Sequence, residues 1–481
     1  MRLQSLTLAG TLAIGCADPL QPNLPIPFDG GSEGGPTSFD VSPVLFPDVF
    51  IGDRENPRNM GVDVHRDIPL VEACVPSTCT GGVILPDRVE FDVSGGRQEL
   101  CVRFPERSVM QGLLSSGENS NVLVFALDSD RLPNDVLLLK RTVSPELFQN
   151  VGGTFTNVTA RFGLNTVPAS VAAAAGDYDG DGDQDLFFAG PNGNVLFQNN
   201  GGLFVRVPDA LRSEDALLRG TAAVFVEPYL LFGTDNGTRA YRYEGGHFVE
   251  ATHDSGLEDQ PGEAADFAVT RYGFGGRNHI YISNPTGRNR HFVENSNGHY
   301  TSVELTDGTV ASGATLDAEW VTYQEEINPS LSVVTYNERL SPGAANFFFV
   351  QNPDGTFSDR ASALAIRDPG RTTRVVWGDF LGDQRPWQFL GRAQQPNLLY
   401  IPRLHIPDRV VERFEDHALP LGMDRIDGHT VSVTGARVFD YDNDGKSDLL
   451  FVFNNGSGLG GLKLFHNDIQ RVRGCNSEED R

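Results

Sequence analysis

The sequence predicts an all-β fold, a seven-bladed β-propeller preceded by a small N-terminal β module, and three observations predict it. A hairpin-like pattern returns roughly every 50 residues, the self-similarity that marks propellers and solenoids. Helical periodicity is nearly absent along the chain. Gly and Pro number 53 and 29, a composition suited to many short strands joined by turns.

The repeated pattern is an aromatic or Leu pair, a polar residue, Asn, a Gly-containing turn, then an aromatic and a Thr/Val run. It reads LFQNVGGTFTNVT from Leu147, LFQNNGGLFVRV from Leu196, YRYEGGHFVEAT from Tyr241, FVENSNGHYTSV from Phe292 and FVQNPDGTFSDRA from Phe349. Looser copies are LYIPRLHIPDRVVERF from Leu399 and LFHNDIQRV from Leu464. Each copy reads as two short strands around a turn, a β-hairpin. Apolar runs such as DLFFAG (185–190), YLLFG (229–233) and DLLFVF (448–453) lie upstream, giving room for four strands per repeat. A parallel β-helix has shorter coils and a sandwich does not repeat seven times, so radial repetition of four-stranded sheets fits best. The ring is expected to close by pairing strands from the two ends of the array, with NDVLLL (134–139) and LKLF (462–465) in that neighbourhood.

Outside the array, residues 1–15 have one cation, Arg2, and an apolar stretch ending in small residues, the layout of a secretory signal too short to span a bilayer. Ala13-Ile14-Gly15-Cys16 resembles the bacterial lipobox, making Cys16 the candidate lipidation site; an ordinary secreted protein is the alternative. Residues 16–38, rich in Pro, Gly, Asn and Ser, read as a flexible tether. Residues 39–116 lack the repeat and read as a small, Ig-like β module, either a spacer or a recognition unit. The array spans 117–470, and 471–481 form a tail. Cys74, Cys79, Cys101 and Cys475 suffice for two disulfides in an oxidising compartment, within the module or tying it to Cys475.

The net charge of −26 argues against nucleic acid and against anionic lipid, leaving a lipid on Cys16 as the expected membrane attachment. Part of that charge is concentrated in two nonapeptides, Asp177-Tyr-Asp179-Gly-Asp181-Gly-Asp183-Gln-Asp185 and Asp440-Tyr-Asp442-Asn-Asp444-Gly-Lys446-Ser-Asp448. Both obey D-x-D-x-D-G-x-x-D. If such a loop curls, alternate carboxylates converge, and Gly at the sixth place permits the turn. Several hard oxygen ligands suit Ca²⁺. The expected ligands are side-chain oxygens of the first, third, fifth and ninth residues, with the backbone carbonyl of Asp183 or Lys446. An EF-hand is excluded, because Phe188 and Phe451 stand where its Glu belongs and the flanks read as strands.

GDYDGDGDQDLFFAG followed by NVLFQNNGGLF resembles the FG-GAP or VCBS repeat, as does FDYDNDGKSDLLFVF followed by LKLFHND. That family forms the seven-bladed propellers of integrin α heads and of many bacterial surface proteins. The resemblance implies structural calcium at these two loops and a monomeric, secreted or cell-surface scaffold for adhesion or binding of protein or glycan. ALDSDRLPNDVLLL (126–139) is similar to a worn copy with Asp128, Asp130 and Asp135. WGDFLGDQRPWQFLG (377–391) keeps Asp379 and Asp383 but has Leu381 and Trp387 where carboxylates belong. No catalytic motif emerges. Gly30-x-Ser32-x-Gly34 lies in the tether and Gly456-x-Gly458-x-x-Gly461 in a hairpin loop, neither in the setting its chemistry needs. A structural envelope component is an alternative function. So is a secreted hydrolase or lyase, since acids from different blades can meet at the central channel.

Overall fold

The computed structural model describes residues 104–472 apart from 110, 116–117, 128–131, 259–262, 274–275, 306–313, 324–327, 337–344, 405–409 and 456–459, together with strands β1 (Leu70–Val71), β2 (Arg88–Val93) and β3 (Gly96–Cys101). The signal, Cys16, the tether, Cys74, Cys79, Cys475 and the worn-loop residues Asp128 and Asp130 lie outside the described residues.

Blade 1 is β4 (Asn119–Phe125), β5 (Asp135–Lys140), β6 (Glu146–Val151) and β7 (Thr154–Asn157). Blade 2 is β8 (Ala172–Gly176), β9 (Asp185–Gly190), β10 (Gly193–Asn199) and β11 (Phe204–Arg206). Blade 3 holds β12 (Gly220–Val226), β13 (Tyr229–Thr234), β14 (Gly237–Glu244) and β15 (His247–Glu250). Blade 4 holds β16 (Asp266–Tyr272), β17 (Arg277–Ser283), β18 (Arg290–Glu294) and β19 (Tyr300–Val303). Blade 5 is β20 (Ala314–Val321), β21 (Ser330–Tyr336), β22 (Phe347–Gln351) and β23 (Phe357–Asp359). Blade 6 is β24 (Thr372–Gly378), β25 (Trp387–Arg392), β26 (Leu398–Leu404) and β27 (Val411–Asp416). Blade 7 has three strands of its own, β28 (Ser432–Phe439), β29 (Asp448–Asn454) and β30 (Gly460–Phe465). Every blade is an antiparallel meander, as the hairpin pattern requires.

The core is divided among the blade interfaces. Leu137, Leu147, Ala173 and Phe188 join blades 1 and 2, and Ala174, Phe187, Ala223 and Phe232 join blades 2 and 3. The series continues around to Val122, Val136 and Phe148 of blade 1 against Leu450, Val452 and Leu464 of blade 7. That last cluster closes the circle, making this a seven-bladed propeller. Strands buried on both faces explain why DLLFVF and DLFFAG are continuous apolar runs rather than alternating ones.

The innermost strands stitch blade to blade. A register shift falls near the start of β4, β12, β20, β24 and β28, and such bulges re-aim the extra side chain. In four of them that residue carries a hydroxyl that donates to a carbonyl beyond its own blade: Ser120 to Ser170 (2.8 Å), Thr221 to Ala264 (2.7 Å), Thr373 to Val433 (2.7 Å) and Thr434 to Asn119 (3.1 Å). In blade 5 the residue is Leu316, and a different device replaces the hydroxyl.

The seventh copy departs from the hairpin reading. Its second half forms β31 (Gln470–Val472), which leaves the blade and pairs antiparallel with β3 and parallel with β1, in a small sheet with β2. The place beside β30 goes to residues 105–107, read from sequence as part of the N-terminal module. Glu106 bridges Phe465, the Arg107 N–H donates to the Leu464 carbonyl (2.7 Å), and the His466 N–H donates to the Pro105 carbonyl (3.0 Å). The ring therefore closes by lending blade 7 an outer strand from before blade 1. LKLF is a partner in that closure, whereas NDVLLL is the second strand of blade 1 and meets blade 7 through side-chain packing.

Candidate metal sites

Both acidic nonapeptides link an innermost strand to the next strand of the same blade, β8 to β9 and β28 to β29. Their curl is built from two left-handed residues. Gly180 and Gly182 have φ of 79° and 97°, and Asn443 and Gly445 have φ of 59° and 84°. The sixth-place Gly is thus explained by backbone shape, and the fourth place shares the requirement, a signal the sequence reading did not use.

The first Asp organises the curl. Asp177 accepts from the backbone N–H groups of Gly180 (2.8 Å), Asp181 (3.1 Å) and Gly182 (3.0 Å). Asp440 accepts from those of Asp444 (3.1 Å) and Gly445 (2.8 Å). The ninth Asp latches the strands. Asp185 is wholly buried and accepts from the N–H of Tyr178 (3.2 Å) and of Asn199 (2.8 Å). Asp448, also wholly buried, accepts from Tyr441 (3.1 Å) and Asn467 (2.7 Å). Asp135 of the worn copy makes the same pair, to Leu127 and Asn150, each at 2.8 Å. The repeat's Asn is therefore the far end of this latch.

Within these loops, oxygens of Asp177, Asp179 and Asp185 lie within 4.8 Å of one another, as do those of Asp440, Asp442 and Asp448. First, third and ninth positions converge. The fifth-place Asp181 instead accepts from the Asp183 N–H (3.0 Å), with Asp183 exposed. Its counterpart Asp444 accepts from the Lys446 N–H (2.9 Å), carries the Lys446 ammonium at 3.7 Å, and groups with Asp442 and His466. His466 was not foreseen as part of the site. It occupies the place of Gln198, one residue before the repeat's Asn, and Gln198 Nε2 donates to Asp179 (2.5 Å). His466 Nδ1 stands 3.2 Å from Asp448 and 3.5 Å from Asp442.

These sites fit a hard cation. Asp179 Oδ1 and Asp442 Oδ1 are buried atoms that meet no hydrogen-bond donor among the described residues, and a buried unpaired carboxylate oxygen is costly unless a cation meets it. Burial, opposed by its two backbone hydrogen bonds, lifts the Asp185 carboxyl to about 7, and burial raises Asp440 and Asp448. Calcium, if held, would sit on Asp177, Asp179 and Asp185, and on Asp440, Asp442 and Asp448.

The loop at 379–387 shows the same backbone without the ligands. Asp379 accepts from Asp383 (3.0 Å) and Gln384 (2.9 Å), and Gly382 and Gln384 are left-handed at 68° and 63°. Leu381 and Trp387 are buried where the third and ninth carboxylates would be, and the Arg385 guanidinium reaches Asp383 at 3.3 Å. Apolar packing stands where the two nonapeptides place carboxylates, and a side-chain cation meets the fifth-place Asp383.

One family match falls on the first of these loops. The FG-GAP-like repeat family matches residues 127–188, from the worn loop through the first acidic nonapeptide and into β9. The chain is a β-propeller with an FG-GAP-like repeat. No curated protein matches the propeller's sequence. Among solved structures, it is similar to the extracellular domain of a protein assigned as a hybrid two-component system of B. thetaiotaomicron, at 11% identity and a TM-score of 0.44. The match covers 79% of this chain and 39% of that one. No described helix is long and apolar enough to cross a membrane.

Proposed function

We propose that this propeller is a secreted or cell-surface protein, held by a lipid on Cys16, whose two acidic loops bind calcium and whose ring serves as a binding or adhesion scaffold for a protein or glycan ligand. One observation carries the calcium reading: the same three carboxylate positions converge in two blades, and in each trio one oxygen is buried without a donor. The metal's role is structural. Each loop abuts the hairpin of the next blade, Tyr178 against Tyr243 and Phe248 of blade 3 and Tyr441 beside Phe155 of blade 1. An ion there would stiffen a blade-to-blade connection.

A scaffold role is favoured over polysaccharide chemistry at the centre of the ring by where the acids of the innermost strands lie. Asp266, Asp317 and Glu319, on the innermost strands of blades 4 and 5, are 0%, 4% and 5% exposed, and a polymer does not reach carboxylates so buried. Calorimetric titration of chelator-stripped protein with Ca²⁺ tests the metal, with heat for two ions expected. A glycan and peptide array read with and without EGTA tests the scaffold. Calcium-dependent capture supports it, and turnover of a polysaccharide would replace it.

A further inference from the structure

The innermost strands of blades 1 to 3, NSNVLVF, AAAAG and GTAAVFV, carry no charged side chain. Those of blades 4 to 7 carry Asp266, Arg271, Asp317, Glu319, Arg374 and Arg437. Arg271 is exposed and donates to the Gly276 carbonyl. The other five form one cluster, and at the seams between blades 4 and 5 and between blades 5 and 6 they do what hydroxyls do elsewhere. Asp266 accepts from the Ala318 N–H (3.2 Å), Asp317 from Val375 (2.8 Å) and Glu319 from Trp377 (3.0 Å). Each acid reaches onto the innermost strand of the following blade. The bulges in β20 and β24 fall immediately before Asp317 and Arg374 and aim them into this cluster.

Its charges do not balance. Among the described residues, three buried carboxylates face two guanidinium groups, Arg374 and Arg437, leaving one negative charge over. Arg374 acts on Asp266 and Asp317, and Arg437 acts on Asp317 and Glu319. Of the strands beside the cluster, β12 has no ionisable residue, β21 ends in Tyr336, β17 carries Arg277, His279 and Tyr281, β25 ends in Arg392, which pairs with Asp368 (3.5 Å), and β29 begins at Asp448, the latch of the acidic loop. Asp266 is wholly buried, and its Oδ1 meets no donor among the described residues. Its neighbour in the cluster is another carboxylate, Asp317. Two ionised carboxylates so placed repel strongly in a low-dielectric interior.

We propose that Asp266 carries a proton on Oδ1 at neutral pH and shares it with Asp317, so that the 4–5 seam is closed by a carboxylic acid–carboxylate pair and loosens when that proton is lost. One proton removes the excess charge and gives Oδ1 the role of donor. Burial and the adjacent Asp317 charge both raise the Asp266 carboxyl, in keeping with that arrangement. A group that binds its proton more tightly when folded stabilises the fold at low pH and loses that contribution as pH rises through its folded value.

The test uses the full chain in excess EDTA, so that no ion at the acidic loops contributes. Infrared spectra at neutral pH are expected to show a protonated-carboxyl C=O stretch that loses intensity in Asp266→Asn, the remainder coming from Asp185 and Glu319, whose carboxyls burial also raises. The wild-type melting temperature is expected to fall by roughly 2–4 °C between about pH 6 and pH 9 from this pair. Asp266→Asn, whose amide donates to Asp317 at every pH, is expected to lack that increment while retaining any decline due to Asp185. No protonated-carboxyl band in the wild type, an undiminished band in Asp266→Asn, or parallel melting curves for the two proteins would each overturn the proposal. If Asp266→Asn does not fold, Asp317→Asn decides: with the partner charge gone the wild-type decline in melting temperature should shrink, and an unchanged decline would overturn the proposal.

Discussion

At the scale of single residues, the acidic loops divide labour between fold and ligand. The ninth-place Asp185 and Asp448 already spend both oxygens on backbone N–H groups, tying the end of one strand to the end of another. Asp135 does the same in a blade whose loop is worn, so the latch serves the fold before any ion arrives. Asp181 is exposed and touches only the turn. Asp185→Ala leaves two buried donors unpaired and is expected to cost about 2–4 kcal/mol of stability in excess chelator. Asp181→Ala is expected to change stability there by less than about 0.5 kcal/mol. Urea unfolding in EDTA measures both. Equal effects from the two substitutions would show that the latch is not structural.

At the scale of strands and blades, what the sequence made legible was local. Five hairpins announce themselves through Gly at turns of positive φ and through alternating partners, and they form as expected. HNDIQ in the seventh copy has no such Gly, and the outer strand of that blade comes from residues more than three hundred positions away, a pairing no local pattern encodes. The buried acids were equally hidden. Asp317 and Glu319 alternate with Ala318 and Trp320 as in a half-exposed strand, and they become buried only when blades 5 and 6 meet. The borrowed strand is anchored by Phe104, which packs edge-on against Phe380 (5.3 Å) and Trp387 (6.1 Å). Phe104→Ala is therefore expected to cost about 3–4 kcal/mol in urea unfolding. A second element-scale device is the imidazole pair of β17 and β18. His279 Nδ1 and His291 Nε2 are 3.1 Å apart, with His279 stacked on Tyr272, both rings against Trp320 and His291 edge-on to Phe357 of blade 5. Burial holds them down to about 4 and about 3. Imidazoles depressed in the folded state contribute stability that is complete above about pH 6.5 and is lost as pH falls towards 4. The loss at pH 4 should reach about 3 kcal/mol for the first imidazole. Replacing both by Gln should flatten that acid limb in denaturant titrations, and an unchanged slope would mean that the pair does not set it.

At the scale of the whole molecule, the two acidic loops are equivalent in geometry but not in position. The loop of blade 2 abuts blade 3, and the polypeptide runs directly from one blade to the other. The loop of blade 7 abuts blade 1 at the place where the circle closes. There the Asn150 side-chain amide donates to the Tyr441 carbonyl (2.6 Å), and a Cβ on Gly153 would lie 3.0 Å from the Asp442 Cβ. That seam is otherwise held by the Phe104–Arg107 strand, the Thr434 hydroxyl and the shared apolar cluster. An ion at an extracellular-type site in millimolar calcium adds about 1–2 kcal/mol by mass action. At the closing seam that increment would resist opening of the ring, whereas in blade 2 it would stiffen a junction the chain already ties. Chelation of the wild type is therefore expected to lower the melting temperature, and Asp440→Ala/Asp442→Ala should abolish most of that response. Asp177→Ala/Asp179→Ala should leave most of it in place. Differential scanning calorimetry of the three proteins, each with and without EGTA, measures the ordering directly. A calcium response that survives loss of the blade 7 carboxylates but vanishes with those of blade 2 would mean that the ring's weakest seam lies elsewhere.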